Sequence, residues 1–448
     1  MDAPLAVIGA GYVGLTTAAG LAHLGHRVTC VDIDADKIER LRRGHVDLAE
    51  PELPQLVNHH QRHGTLSFHT QLTEVVALAH TVFLALPTPG QPDGHLDLDA
   101  LEHVTAQLAA LARPDSTIVV RSTVPPGTHQ RLSQLLHRTD VALVTNPEFL
   151  REGSAVRDFL TPARVVVGTH GPTGTEHLLQ LYGTDAPVVT TDPTSAELIK
   201  YAANSYLALR LTYVNTLAEL CERLGAGIAD VLAGIGHDSR IGATHLHPGP
   251  GWGGPCLPKD TRALARAGTT LGCDMTLLDA TLTTNTHHQR RVVDHVERSL
   301  DRPLADSRIG VLGLSFKAGT NDLRDSPAVP ITAALTDQHA HVRAYDPALG
   351  STPPAATAEM VNHLTLTTSA TDALTDCDLA LLLTDWPEFA TLNWSRIASQ
   401  MRGNVVIDTR NQLDPDSLEA AGLRLHSTGI RAGKSVQLRP PEQTISAP

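Results

Sequence analysis

Two doubly wound α/β domains joined by a central long-helix region are predicted for this chain of 448 residues. Three observations carry that reading. Short apolar runs alternate with helical patterns over the first 191 residues. The same alternation returns at Arg308, and an unusually long helical pattern lies between the two regions. Strands that alternate with helices imply a parallel sheet covered on both faces. The expected division is therefore 1–191, a central helical part over 192–300, and 301–448.

Residues Pro4–Ile8 read as an apolar strand, Gly9–Gly14 as a turn and Leu15–Leu24 as an Ala-rich helix. Arg27–Ile33 reads as a second strand ending in acids, which completes one βαβ unit. Further strands are expected at Thr81–Leu86, Thr117–Val120, Ala142–Val144 and Arg164–Val167. Thr194 and Glu197 have capping-box spacing and open the helical run AELIKYAANSYLALRLTYVNTLAELCERLG, which Gly225 closes. A helix this long and apolar needs a partner, either a second subunit or its own bundle. Helical patterns continue to about Leu300, after which IGVLGL, HVRAYDP, DLALLLT and NVVIDTR read as buried strands. The tail after about Arg431 is expected to be frayed.

Aromatics make up only 3% of the chain, so its core must be built from Ala, Val and Leu. A net charge of −13 repels nucleic-acid backbones and anionic membranes, so neither is expected as a partner. No stretch approaches a membrane span, and MDAPLAVIGAG lacks the basic start of a secretory signal. The five cysteines are scattered without metal-ligand or redox spacing, so no metal and a reduced cytoplasmic setting are expected.

Gly9-Ala10-Gly11-Tyr12-Val13-Gly14 matches GxGxxG between a strand and a helix, which makes the domain Rossmann-like. The first glycine permits the tight turn, the second lets backbone N–H groups approach a pyrophosphate, and the third allows close helix–strand packing. Asp32 ends the second strand, where a carboxylate accepts hydrogen bonds from ribose hydroxyls and repels a 2′-phosphate. NAD is expected rather than NADP. The C-terminal region has no GxGxxG.

The stretch Pro248-Gly-Pro-Gly-Trp-Gly-Gly-Pro-Cys256-Leu-Pro-Lys-Asp260 reads as a structured loop. Gly251, Gly253 and Gly254 are expected to leave room for a ligand. A lone cysteine is more often a small buried hydrophobe. In a glycine-rich loop with Lys259 close by, an accessible thiolate is the better reading for Cys256.

The motifs VIGAGYVGL, the LPTP holding Thr88, RSTVPPGT, NPEFLREGSAVRDF, AELIKYAANSYLA, GWGGPCLPKD, GLSFKAGTNDLRDSP, AYDP and VVIDTRN follow one another in order. In that order the chain resembles the UDP-glucose/GDP-mannose dehydrogenase family from Val7 to about Ile430. The resemblance implies two hydride transfers to NAD from the terminal alcohol of a nucleotide-linked hexose. It makes Cys256 the nucleophile of a thiohemiacetal and then a thioester. Lys200 and Asn204 would stabilise oxyanions, Asp260 would handle protons, and Glu152 and Thr123 would steer a catalytic water. Tyr12, Val13, Lys37, Thr88, Thr123, Glu152, Lys259 and Arg324 would join the glycines and Asp32 at the cofactor. Glu148, Phe149, Leu150, Arg151, Lys200, Asn204, Arg240, Gly253 and Lys317 would meet the substrate, with Arg240 reaching across a homodimer interface.

Taken singly, these residues have plainer readings. Lys200 could snorkel at a surface, Asn204 could be a satisfied buried amide, Glu148 could start a helix and Thr123 could cap a turn. The arginines could be ordinary surface charges. Pro255 and Leu257 depart from the family's commonest pattern, and Pro255 removes one N–H donor. REG after NPEFL is nearer the family's UDP-glucose branch than its GDP-mannose branch, which often shows RES. GDP-mannose and UDP-N-acetylhexosamines remain alternatives for the same chemistry. A two-electron dehydrogenase would leave the Cys256 loop unexplained, and a catalytically dead NAD-binding regulator would leave Lys200, Asn204 and Asp260 unexplained.

Overall fold

A computed structural model describes residues 3–91, 93–350 and 355–430. The tail beyond Arg431, expected to be frayed, lies outside the described residues. The chain forms two compact units, Met1–Ser205 with Lys259–Met275, and Tyr206–Pro258 with Thr276–Pro448. Residues 192–300 are divided between them.

The first unit holds an eight-stranded sheet. Its strands are β1 (Leu5–Ile8), β2 (Val28–Val31), β3 (Leu66–His69), β4 (Thr81–Leu84), β5 (Thr117–Val120), β6 (Ala142–Thr145), β7 (Val165–Gly168) and β8 (Val188–Thr191). They lie in the order β3-β2-β1-β4-β5-β6-β7-β8. The order reverses between β1 and β4, where Ile8 pairs in register with Leu84, and the carboxyl ends of such strands frame a ligand crevice. Leu5, Ala6, Val7 and Ile8 are all buried, as a strand covered on both faces requires.

The sheet is not parallel throughout, as the sequence pattern implied. β7 pairs antiparallel with β6 through Thr145 and Gly168. The short Ala155–Leu160 helix sets Phe159 against Gly20 of the Tyr12–His23 helix, and the chain re-enters the sheet in the opposite direction.

The second unit has a six-stranded parallel sheet. Its strands are β9 (Arg308–Leu312), β10 (His341–Tyr345), β11 (Thr365–Leu366), β12 (Leu379–Leu382), β13 (Val405–Asp408) and β14 (Arg424–Ser427), in the order β11-β10-β9-β12-β13-β14. The two domains share a device. Asp32, just after β2, accepts from Ala10 N in the turn after β1 at 2.8 Å. Asp346, just after β10, accepts from Leu314 N and Ser315 N in the turn after β9, each at 2.8 Å.

The long helix runs from Pro193 to Leu224, and Gly225 adopts φ +74 beyond it. The expected capping box is absent. Asp192 accepts from Ser195 N at 2.9 Å and so supplies the cap. Glu197 turns away and accepts from Gly127 N and His129 N at 2.6 Å each, satisfying the start of the Thr128–Leu136 helix. Among the described residues, no helix is long and apolar enough to cross a membrane, and no cluster of three or more His, Cys, Asp or Glu could hold a metal.

Candidate active site

The glycine turn meets each of its three requirements. Gly9 has φ +101, and a Cβ there would lie 2.3 Å from the Ala85 carbonyl oxygen. A Cβ on Gly14 would lie 1.8 Å from the Gly9 carbonyl oxygen, so only glycine lets the helix sit this close. A Cβ on Gly11 would meet nothing within 4 Å, which is the open approach a pyrophosphate needs. The helix that starts at Tyr12 has no acid in its first turn and no side-chain cap, so neither would oppose an anion at its N–H groups. These residues fit NAD. Lys37 Nζ lies 3.1 Å from Asp32, and Thr88 donates to the Thr123 carbonyl at 2.8 Å.

Glu50, which no sequence motif marks, belongs to this site. It is 3% exposed and accepts from Gly153 N at 2.6 Å and Ala155 N at 2.7 Å. The Tyr12 phenol also donates to it. Burial, reinforced by Glu50, pushes the Tyr12 hydroxyl well above the usual tyrosine range, so it stays a donor. Glu50 therefore ties the dinucleotide turn to the loop that carries Glu148 and Glu152. The two acids of LAEPEL, Glu50 and Glu52, show no periodicity, so only tertiary burial singles out Glu50.

Lys200 and Asn204 share one face of the long helix, and both are buried. Lys200 Nζ lies 2.9 Å from Glu148 Oε1 and 5.4 Å from the centre of the Phe149 ring. Burial alone would raise the Glu148 carboxyl, but Lys200 and Leu150 N hold it below the usual range, so the pair is ionic. Asn204 Nδ2 donates to Asp260 Oδ2 at 2.6 Å, and Lys259 Nζ donates to Asp260 Oδ1 at 2.6 Å. Nearby in the same unit, buried Arg121 donates to Asn146 Oδ1 at 2.6 Å under the rings of Phe159 and Tyr182. Arg121 opens the RSTVPPGT motif, but nothing local in the sequence marks it for burial.

Cys256 is exposed and stands directly before the Leu257–Thr270 helix, whose first turn holds Lys259 and Asp260. Cys30, Cys221 and Cys377 are buried. The room expected at the loop glycines is taken by the protein itself. A Cβ on Gly253 would lie 1.9 Å from the Asp325 carbonyl oxygen, and one on Gly254 would lie 2.7 Å from the Phe316 ring.

Several expected ligand contacts are held by neighbouring acids. Arg151 forms a two-pronged pair with Asp158. Arg240 pairs with Asp238 while its side chain stays 88% exposed, and Arg324 pairs with Asp322. Lys317 Nζ lies 5.5 Å from the centre of the Phe316 ring.

Three family models match the chain. The NAD binding domain of the UDP-glucose/GDP-mannose dehydrogenase family matches residues 3–185, its central domain 194–287, and its UDP binding domain 310–415. A UDP-glucose 6-dehydrogenase of Rhizobium meliloti is 38% identical over 436 residues, covering 95% of this chain and 99% of its own. A Bacillus subtilis enzyme of the same description is 35% identical, covering 96% of this chain and 98% of its own. The solved UDP-glucose dehydrogenase of the archaeon Pyrobaculum islandicum superposes with a TM-score of 0.87 at 34% identity, covering 96% of this chain and 98% of that one.

Proposed function

Because the chain belongs to the UDP-glucose/GDP-mannose dehydrogenase family, we propose that it oxidises the C6 alcohol of UDP-glucose to the carboxylate of UDP-glucuronate, with Cys256 as covalent catalyst. The observation that carries this reading is the buried row of Lys200 and Asn204, with Asn204 tied to Asp260 four residues beyond the exposed Cys256.

The glycine turn and Asp32 would hold NAD, and two NAD molecules, one for each oxidation, would supply the hydride acceptors for alcohol to aldehyde and thiohemiacetal to thioester. Cys256 sulfur bonds to the aldehyde carbon, and the carbonyl electron pair moves to oxygen, where Lys200 and Asn204 stabilise the charge. Asp260 takes and returns the proton at that oxygen. Water then adds to the thioester carbonyl. The C–S bond breaks, the thiolate leaves, and the carboxylate and two protons are released. Glu152 and Thr123 orient the water. Glu148 keeps Lys200 charged and in place, and the 149–151 backbone lines the sugar. Lys317 and Arg240 meet the nucleotide end, while Lys259 and Arg324 meet the cofactor.

The resident assembly in this reading is a homodimer. Tyr206, Tyr213 and Leu220 recur every seventh residue along the long helix and are 57%, 56% and 48% exposed. Such a stripe is what a second copy would cover. A reducing cytoplasmic setting belongs to this reading, and five free cysteines are compatible with it.

The test is NADH yield per mole of nucleotide sugar, across UDP-glucose, GDP-mannose and UDP-N-acetylhexosamines. Two NADH from UDP-glucose are expected. One NADH with free aldehyde release, or turnover only with another sugar, overturns the proposal.

A further inference from the structure

The loop that ends at Cys256 is held from behind by a set of buried polar side chains. Asn285, on the Thr276–Ser299 helix, accepts from Trp252 N at 3.0 Å and donates to Trp252 O at 2.9 Å. One amide thus pairs with both main-chain groups of a single residue, as a neighbouring strand would. Three further hydrogen bonds flank it. Asn215 accepts from Gly249 N at 3.0 Å, His288 donates to Gly249 O at 2.7 Å, and the Trp252 indole donates to Thr212 at 2.7 Å. Asn215 and Thr212 lie on the long helix, so two helices hold the loop.

Gly251 supplies an independent sign that the approach of Asn285 is built in. It adopts φ +123, and a Cβ there would lie 3.0 Å from Asn285 Oδ1. A side chain at 251 would therefore crowd the amide out of its place. The Gly253 position lies against the Asp325 carbonyl, so the loop is closely packed there as well. Loop backbone buried without partners is costly, and Asn285 satisfies both groups of Trp252 at once.

We infer that Asn285 is the positioning residue for the nucleophile. It fixes Trp252, and through Gly253, Gly254 and Pro255 it fixes where the Cys256 sulfur stands. The inference rests on the reading of Cys256 as the covalent catalyst. Carbon–sulfur bond formation demands placement within fractions of an ångström, and a displacement of about 1 Å costs on the order of a hundredfold in rate.

The experiment compares wild type, Asn285→Ala, Asn285→Asp, Gly251→Ala and Cys256→Ala as full-length proteins, after circular dichroism confirms folding. Two readouts are taken, steady-state kinetics with UDP-glucose and the rate of Cys256 alkylation by iodoacetamide, read by peptide mass spectrometry. Asn285→Ala is expected to lower kcat by about tenfold or more while KM for NAD stays within about twofold, because the dinucleotide turn is untouched. Its Cys256 alkylation rate departs from wild type by several-fold. Asn285→Asp keeps the acceptor for Trp252 N but loses the donor to Trp252 O, so it behaves like the alanine variant at neutral pH. Gly251→Ala follows the same pattern.

A folded Asn285→Ala protein with wild-type kcat and wild-type alkylation rate overturns the inference. Wild-type turnover by Cys256→Ala overturns the covalent reading instead. The alkylation readout still judges the loop in that case, so the two failures are distinguishable. If Asn285→Ala does not fold, Asn285→Asp and Gly251→Ala decide the matter by the same measurements.

Discussion

Asn204 donates to the Asp260 carboxylate at 2.6 Å, although 56 residues separate them. The bond joins the first half of the long helix to the first turn of the helix that follows Cys256. It leaves the other Asp260 oxygen to Lys259, so the carboxylate has a donor on each side. Asp260→Asn should keep the fold, because the Asn204 amide can turn over to accept. It should lower kcat by about 10²–10⁴, the usual worth of a placed acid–base. Steady-state kinetics at saturating NAD check this, and an unchanged kcat refutes it.

Lys200 and Glu148 form a pair whose side chains are 5% and 6% exposed. Glu148→Gln removes the carboxylate 2.9 Å from a buried ammonium and should cost about 3–5 kcal/mol in urea unfolding. Replacing both, Glu148→Leu with Lys200→Met, should recover much of that stability while leaving the enzyme inactive. Equal loss in the single and double variants would show that the pair is not the source.

Gly11 and Gly14 should separate binding from folding. Gly11→Ala meets no neighbour, so its stability should stay within about 0.5 kcal/mol of wild type while the KM for NAD rises. Gly14→Ala drives a methyl into the Gly9 carbonyl and should give little folded protein. Thermal melts with and without NAD provide the comparison.

Burial pushes His129 and His295 down to about 4 from a usual 6.5, and His170 and His426 respectively add to the effect. Both folded values lie below the unfolded one, so the unfolded chain binds more protons in between. Stability should therefore fall as pH drops from 6.5 to about 4 and level off below that. His129→Asn combined with His295→Gln should flatten the slope of unfolding midpoint against pH. A slope identical to wild type would assign the acid sensitivity elsewhere.

Tyr213 lies in the middle of the exposed stripe on the long helix. Tyr213→Glu should shift the mass measured by light scattering toward that of one chain, because a buried unpaired carboxylate opposes association. A mass unchanged from wild type would take this stripe out of any interface.

Residues close together along the chain were legible from their order alone. The glycine turn, the acid ending the second strand and the length of the central helix all follow from local pattern, since turn geometry and helical periodicity are short-range properties. Strands β3, β8, β11 and β14 carried too weak an apolar signal to be picked out. The antiparallel entry of β7 is a matter of how it pairs with β6, which no local pattern records.

The sequence by itself determined the chemistry available: a dinucleotide turn, a thiol in a glycine-rich loop, and a lysine and an amide one helical turn apart. Only the tertiary structure decided which groups pair. It gave Glu197 to a different helix, placed Glu50 beneath Tyr12 and set Asn285 against Trp252. It also showed that Gly253 makes room for the chain's own Asp325. The reason is physical. A buried polar group must find a partner, and the partner is chosen by distance in the folded chain, while periodicity reports only which side of an element faces inward.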